Sequence, residues 1–226
     1  MEQHILEFEN VTGKSRKFHL ENINFAIPAG YICGLMGNNG AGKTTLFRYI
    51  MEGKQLYNGT IRINGVDIRE NHADMMNHIG FVSEDNAFFE ERTAAQNVEL
   101  LSPFYREFDK ELFNNVMEEM GVSVRKTYCR MSRGEKLKFQ MAFAMAHHPV
   151  LYLLDEVTVG MDPVFRMDFF KILQRVIADE NASVLMSSHI VSEMERKADY
   201  VCILENGKMV DFGESIEVLP VQGAEE

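Results

Sequence analysis

The chain has little with which to cross-link itself. Its three cysteines, Cys33, Cys129 and Cys202, are odd in number, far apart and contain no CxxC pair. That pattern points away from a disulfide or zinc framework and towards reduced thiols in a cytosolic protein. Long apolar runs are also missing: no stretch approaches the roughly 20 residues of a membrane-spanning helix. The first residues, Met1-Glu2-Gln3-His4, carry acid where a signal peptide would be basic. Positive charge is scarce, with 23 Lys and Arg against 34 Asp and Glu and a formal net charge of −11. Such a balance argues against non-specific binding to nucleic acid or anionic lipid. Linkers, low-complexity tracts and internal repeats are absent from the sequence. A soluble chain with one domain spanning residues 1–226 is expected, and any membrane part must come from a partner.

What is present begins with residues 37–45, Gly-Asn-Asn-Gly-Ala-Gly-Lys-Thr-Thr, in which Gly37 to Thr44 fits the phosphate-loop pattern Gly-x-x-x-x-Gly-Lys-Thr. Gly37, Gly40 and Gly42 permit backbone conformations that turn successive N–H groups of Asn38, Asn39 and Ala41 inward around phosphate oxygens. Lys43 brings positive charge to the β- and γ-phosphates, and the Thr44 hydroxyl suits Mg²⁺. Upstream, Tyr31–Met36 reads as a buried strand; downstream, Thr45–Ile50 reads as a helix whose N-terminus faces the anion. Later, Leu-Tyr-Leu-Leu-Asp-Glu at 151–156 is an apolar strand ending in two carboxylates. One carboxylate for metal and one free to polarise water suits phosphoryl transfer to water. A helix cap after the strand is the plainer role for Asp155-Glu156.

The first third is rich in strands: Ile5–Val11, Ile23–Ile27, Tyr31–Met36 and Thr60–Asn64, with turns at Pro28-Ala29-Gly30, Asn58-Gly59 and Asn64-Gly65. Ile79–Ser83 is a further strand. The middle is helical, with Thr93 and Asp109 as N-caps and Leu112, Val116 and Met120 on one face. Strand–helix alternation follows: Val150–Asp155, Pro163–Ala178, Ser183–Ser187, Ile190–Lys197. A hairpin closes the pattern, Tyr200–Leu204 and Lys208–Phe212 around Asn206-Gly207, and the residues from Pro220 read as frayed. The pattern predicts an α/β fold: a phosphate-loop NTPase core with a mainly parallel sheet, an N-terminal antiparallel β-subdomain, and a helical subdomain inserted at about 88–146. His147-His148 ends at Pro149 and reads as a helix terminus.

Four later features, in order, narrow the class. Met131-Ser132-Arg133-Gly134-Glu135 precedes a helix expected over Lys136–Ala146; Asp155-Glu156 closes the next strand; Val159-Gly160-Met161-Asp162-Pro163 follows; Ser187-Ser188-His189 ends the strand after that. Over nearly its whole length the chain resembles the nucleotide-binding subunit of ATP-binding-cassette (ABC) transporters. The resemblance implies that Asp155 holds Mg²⁺ through water, that Glu156 is the general base, and that His189 contacts the γ-phosphate. It further implies that Ser132 and Gly134 touch the γ-phosphate of ATP held by a second subunit, and that Asp162 communicates across that interface.

The sequence departs from the family in places. Where the family has Gln after the strand Ile79–Ser83, reaching Mg²⁺ and the attacking water, this chain has Glu84, followed by Asp85. Two readings of Glu84 stand, a modified metal ligand or a side chain that points away. The family's Leu-Ser-Gly-Gly-Gln is Met-Ser-Arg-Gly-Glu, so Arg133 replaces a glycine, and Val157 replaces a common proline. For the aromatic that stacks on adenine, Phe18 is the candidate; the other reading packs it within the β-subdomain. Arg125, Lys126, Arg130, Lys136 and Lys138 read as a solvated basic surface, with Arg133 facing the partner's ATP.

The resemblance implies an ATP- and Mg²⁺-dependent motor: two copies, or this chain and a paralogue, sandwich two ATP molecules and drive a separate permease. That permease would dock near the Glu84 loop and the helical insert, placing the chain on the cytoplasmic face of the cell membrane. The loop, the altered signature and the Ser-Ser-His-Ile ending resemble short bacterial drug- or peptide-export ATPases. The alternative is a soluble cassette ATPase acting on nucleic acid or ribosomes. Such proteins usually carry a long coiled coil, zinc-binding cysteines or a second cassette, and the sequence shows none of these.

Overall fold

The computed structural model describes residues 4–15, 18–52, 56–84, 88–180 and 182–219. Asp85, Met1-Glu2-Gln3 and the stretch from Pro220 lie outside them. The chain opens with strands β1 (His4–Gly13), β2 (Ile23–Pro28) and β3 (Ile32–Met36), then helix α1 (Lys43–Glu52). Next come β4 (Tyr57–Ile63), β5 (Val66–Asp67), the one-turn helix α2 (His72–Met75) and β6 (Ile79–Ser83). Helices α3 (Ala94–Leu101), α4 (Lys110–Glu119) and α5 (Arg133–Met145) lead to β7 (Leu151–Asp155). The remainder is α6 (Pro163–Glu180), β8 (Ser183–Ser188), α7 (Val191–Lys197), β9 (Tyr200–Glu205), β10 (Lys208–Glu214) and α8 (Ser215–Val218).

Two sheets organise these elements. β2-β1-β4-β5 is a four-stranded antiparallel sheet, and β10-β9-β3-β8-β7-β6 is a six-stranded one, parallel except for the β9–β10 hairpin. Successive side chains of a strand point to opposite faces, so a strand covered on both sides must be apolar at every position. β7 meets that demand by sending Leu151 and Leu153 to one core and Tyr152 and Leu154 to the other. The first core holds the buried face of α1 and the antiparallel sheet, and the second holds α3 to α7. Thr93 and Asp109 cap α3 and α4 as the sequence predicts. An aromatic cluster joins these helices to the sheet: Phe88 lies edge-on to Phe139 at 4.7 Å, and Tyr105 stacks on His147 at 4.2 Å.

Most elements run a few residues past or short of their expected ends, and two departures have a clear physical cause. Asn58-Gly59 is not a turn but part of β4. The pairing of β1 with β4 shifts between Glu9 and Thr12, a β-bulge opposite Gly59. Gly59 has φ +88°, and any side chain there would strike the Asn10 and Glu9 carbonyls. Second, α5 begins at Arg133 rather than Lys136, because Ser132 and Glu135 form a capping box: Ser132 Oγ accepts the Glu135 N–H at 3.2 Å while Glu135 Oε2 accepts the Ser132 N–H at 2.8 Å.

Candidate active site

The loop between β3 and α1 wraps around its own lysine. Gly37 (φ 153°), Gly40 (φ 83°) and Gly42 (φ 117°) all take positive φ, and a side chain at Gly37 would strike the Leu204 carbonyl. Lys43 is only 4% exposed. A buried ammonium needs partners for its charge and its protons. Its Nζ donates to Gly37 O at 2.6 Å and Asn38 O at 3.3 Å, and it pairs with Glu156 Oε1 at 3.2 Å. The turn of the C-terminal hairpin supports the loop from below, with the Gly207 N–H donating to Ala41 O at 3.0 Å.

Asp155 and Glu156 reach this loop from the end of β7. Asp155 accepts two hydroxyls, Thr44 Oγ1 on Oδ2 at 2.9 Å and Ser187 Oγ on Oδ1 at 2.6 Å. The Glu156 N–H donates to the same Ser187 Oγ at 2.8 Å. Glu156 itself is held at φ 50°, in the left-handed region that costs a non-glycine residue about 1–2 kcal/mol. Ser187 thus joins both carboxylate residues to β8, and the strained turn aims Glu156 at Lys43.

A cleft of about 470 Å³ opens here, lined by Phe18, Asn39, Gly40, Gly42, Lys43, Thr44, Thr45 and Glu156. Phe18, 38% exposed, lies over Gly42 and the hairpin turn. His189 is exposed one residue beyond the end of β8, the strand between β3 and β7. Ser188 there pairs in register with Met36, so His189 sits across from the start of the loop.

Ser132, Gly134, Asp162 and Glu84 lie apart from that cleft. Ser132 is exposed as the cap of α5, and Gly134 lies beside the Phe165 ring. Asp162 caps α6, its Oδ1 accepting the Phe165 N–H at 2.9 Å. Glu84 forms an ion pair with Arg133 and lines a separate small cleft with Met131, Lys136 and Gln140. Arg133 also rests against Gly160, so one guanidinium ties together three of the motif segments. Two residues of the basic surface are neutralised locally: Lys126 binds Glu135 at 2.7 Å, holding that carboxyl below its ordinary pKa, and Lys136 binds Glu90 at 3.1 Å.

Sequence reasoning missed the roles of Ser187, Ser188, Thr158 and Glu193. The Ser-Ser pair ending an otherwise apolar strand was the available signal, since a hydroxyl buried there needs a partner. Among the described residues no group of three or more His, Cys, Asp or Glu side chains could hold a metal ion. Thr44 and Asp155 offer the oxygen donors that suit Mg²⁺, which needs only one or two carboxylates when substrate phosphates complete its shell.

Residues 20–159 match the family described as ABC transporter. The chain is 29% identical over 212 residues to a bacitracin transport ATP-binding protein of Enterococcus faecalis, covering 92% of this chain and 69% of the relative. It is 32% identical over 192 residues to an ABC transporter ATP-binding protein of Bacillus subtilis, covering 85% and 65%. A methionine import ATP-binding protein of Corynebacterium diphtheriae is 29% identical, covering 94% and 67%. The chain therefore spans about two thirds of the length of these relatives. Among solved structures, an ATP-binding subunit of an ABC transporter superposes with a TM-score of 0.84 at 25% identity, covering 93% of this chain and 90% of the other.

Proposed function

The chain belongs to the ABC transporter family of ATP-binding, ATP-hydrolysing subunits, and on that premise we propose that it is the motor of an exporter whose membrane-spanning permease is a separate chain. One observation carries the reading: Lys43, Thr44, Asp155 and Glu156, from two distant segments, meet at one cleft with contacts of 2.9 and 3.2 Å. Here Lys43 and the loop N–H groups bind the triphosphate, and phosphate oxygens take over the contact that Lys43 makes with Glu156. Freed of the ammonium, the Glu156 carboxylate orients and deprotonates the attacking water. Mg²⁺, when held by Thr44 and by Asp155 through water, neutralises charge on the β- and γ-phosphates. Phe18 supplies a ring for the adenine. By the family resemblance Ser132 and Gly134, which lie outside the cleft, act on ATP bound to a second cassette, and the working unit is a dimer with two-fold symmetry. The domain is one unit, with residues 88–146 as its helical insert.

The permease docks on an apolar groove of about 460 Å³ lined by Met51, Met76, Phe81, Tyr105 and His147 among others, with Phe104 79% exposed at its rim. No helix among the described residues is long and apolar enough to cross a membrane. Export is assigned from the resemblance of the loop and signature to short exporter ATPases; family membership alone does not set direction.

Glu156→Gln keeps the shape of the site and removes the base, so ATP turnover should fall about 10²–10⁴-fold while ATP accumulates between two chains. Size-exclusion chromatography with Mg-ATP should show a dimer for this variant. Lys43→Ala, as a control, should lose nucleotide binding without unfolding. A Glu156→Gln protein that hydrolyses ATP at the wild-type rate would remove the reading.

A further inference from the structure

Glu193, on α7, is 7% exposed, and no step described above uses it. Its Oε2 accepts two buried hydroxyls, Thr158 Oγ1 at 2.7 Å and Ser188 Oγ at 3.1 Å. Thr158 lies two residues beyond Glu156, in the loop that leads to Asp162. Ser188 immediately precedes His189, and its Oγ also accepts the Ile190 N–H at 3.0 Å, closing a turn around the histidine. A buried carboxylate costs stability unless it is paired and hydrogen-bonded. Its cation is Arg166 on α6, whose Nη2 donates to Thr158 O at 3.4 Å and Met161 O at 3.2 Å. Arg166 Nε stands 3.7 Å from Glu193 Oε1, beyond hydrogen-bond range, and neither atom has a hydrogen bond among the described residues.

Adjacent serines of β8 point to opposite faces of the sheet. Ser187 is tied to Asp155 and Glu156, and Ser188 to Glu193 and Thr158. We propose that Glu193 is a positioning residue for hydrolysis: one carboxylate oxygen fixes both the turn that carries His189 and the loop that follows Glu156. The two sides of the site then move together. The inference rests on the reading of the site given above.

Steady-state ATPase rates, affinity for a fluorescent ATP analogue and thermal melting test it on the full chain. Glu193→Gln should lower kcat about 10- to 100-fold, as expected when reacting groups shift by about 1 Å, with nucleotide affinity within about twofold of wild type. Thr158→Val should cost much less in the Glu193→Gln background than in wild type, because both changes cut the same link. A folded Glu193→Gln protein with wild-type kcat, or one whose kcat loss is matched by an equal loss of affinity, overturns the proposal, as does full additivity with Thr158→Val. If Glu193→Gln does not fold, Ser188→Ala and Thr158→Val each remove one arm. Lower kcat at unchanged affinity in both then supports the proposal, and wild-type kcat in both sinks it. A wild-type chain that neither binds nor hydrolyses Mg-ATP overturns the reading of the site itself.

Discussion

His147 sits just beyond the last turn of α5, 6% exposed, with its Nδ1 3.3 Å from Asn77 O and its ring stacked on Tyr105. Burial pushes its pKa down from 6.5 to about 4. The neutral ring is therefore native at pH 7, and the stability cost has a definite sign. Between pH 6.5 and about 4 the unfolded chain takes up a proton that the folded chain refuses, so stability falls as pH falls. The loss reaches about 3 kcal/mol at the acid end and about 2 kcal/mol by pH 5. Urea unfolding at pH 7 and pH 5 should show a larger fall in midpoint for wild type than for His147→Gln; equal falls would mean the ring is not kept neutral. Other residue roles were less open to sequence reading. The phosphate loop, Asp155 and Glu156 were legible because their pattern is local. Glu84 was not: its partner Arg133 lies on a distant segment, and nothing adjacent to residue 84 signals it.

Whole elements were legible where one signal dominated. Ile79–Ser83 was read with both ends correct, since an apolar run between polar flanks leaves few options. Asn64-Gly65 and Asn206-Gly207 form the expected hairpin turns, with both residues of each at positive φ. The same dipeptide misled at 58–59, where the neighbouring strand bulges and a missing side chain, rather than a reversal of the chain, is what the position requires. Gly59→Ala should therefore destabilise the protein by about 1–3 kcal/mol, while Asn58→Ala, at an exposed position, stays within about 0.5 kcal/mol. Thermal melts of the two variants distinguish a bulge from a turn, and equal melting temperatures would refute it. The start of α5 was misplaced although Ser-x-x-Glu was visible at 132–135: reading those residues as a recognition motif hid that they also form a capping box.

Across the whole molecule, the strand that launches the phosphate loop depends on partners from the far end of the chain. β3 lies between β8 and β9, pairing Met36 with Ser188 and with Ile203, and Gly207 supports the loop itself. A chain ending at residue 181 should retain the complete motif and yet lose nucleotide binding; measured affinity equal to that of the full chain would disprove the dependence. The consequence reaches into synthesis. On the ribosome, residues 32–44 emerge well before β8 and β9, so β3 lacks both of its neighbours until residues 183–205 follow. Affinity for ATP should then arise only once the β9–β10 hairpin has left the exit tunnel, and until then the nascent chain must be kept from pairing β3 with a neighbour's.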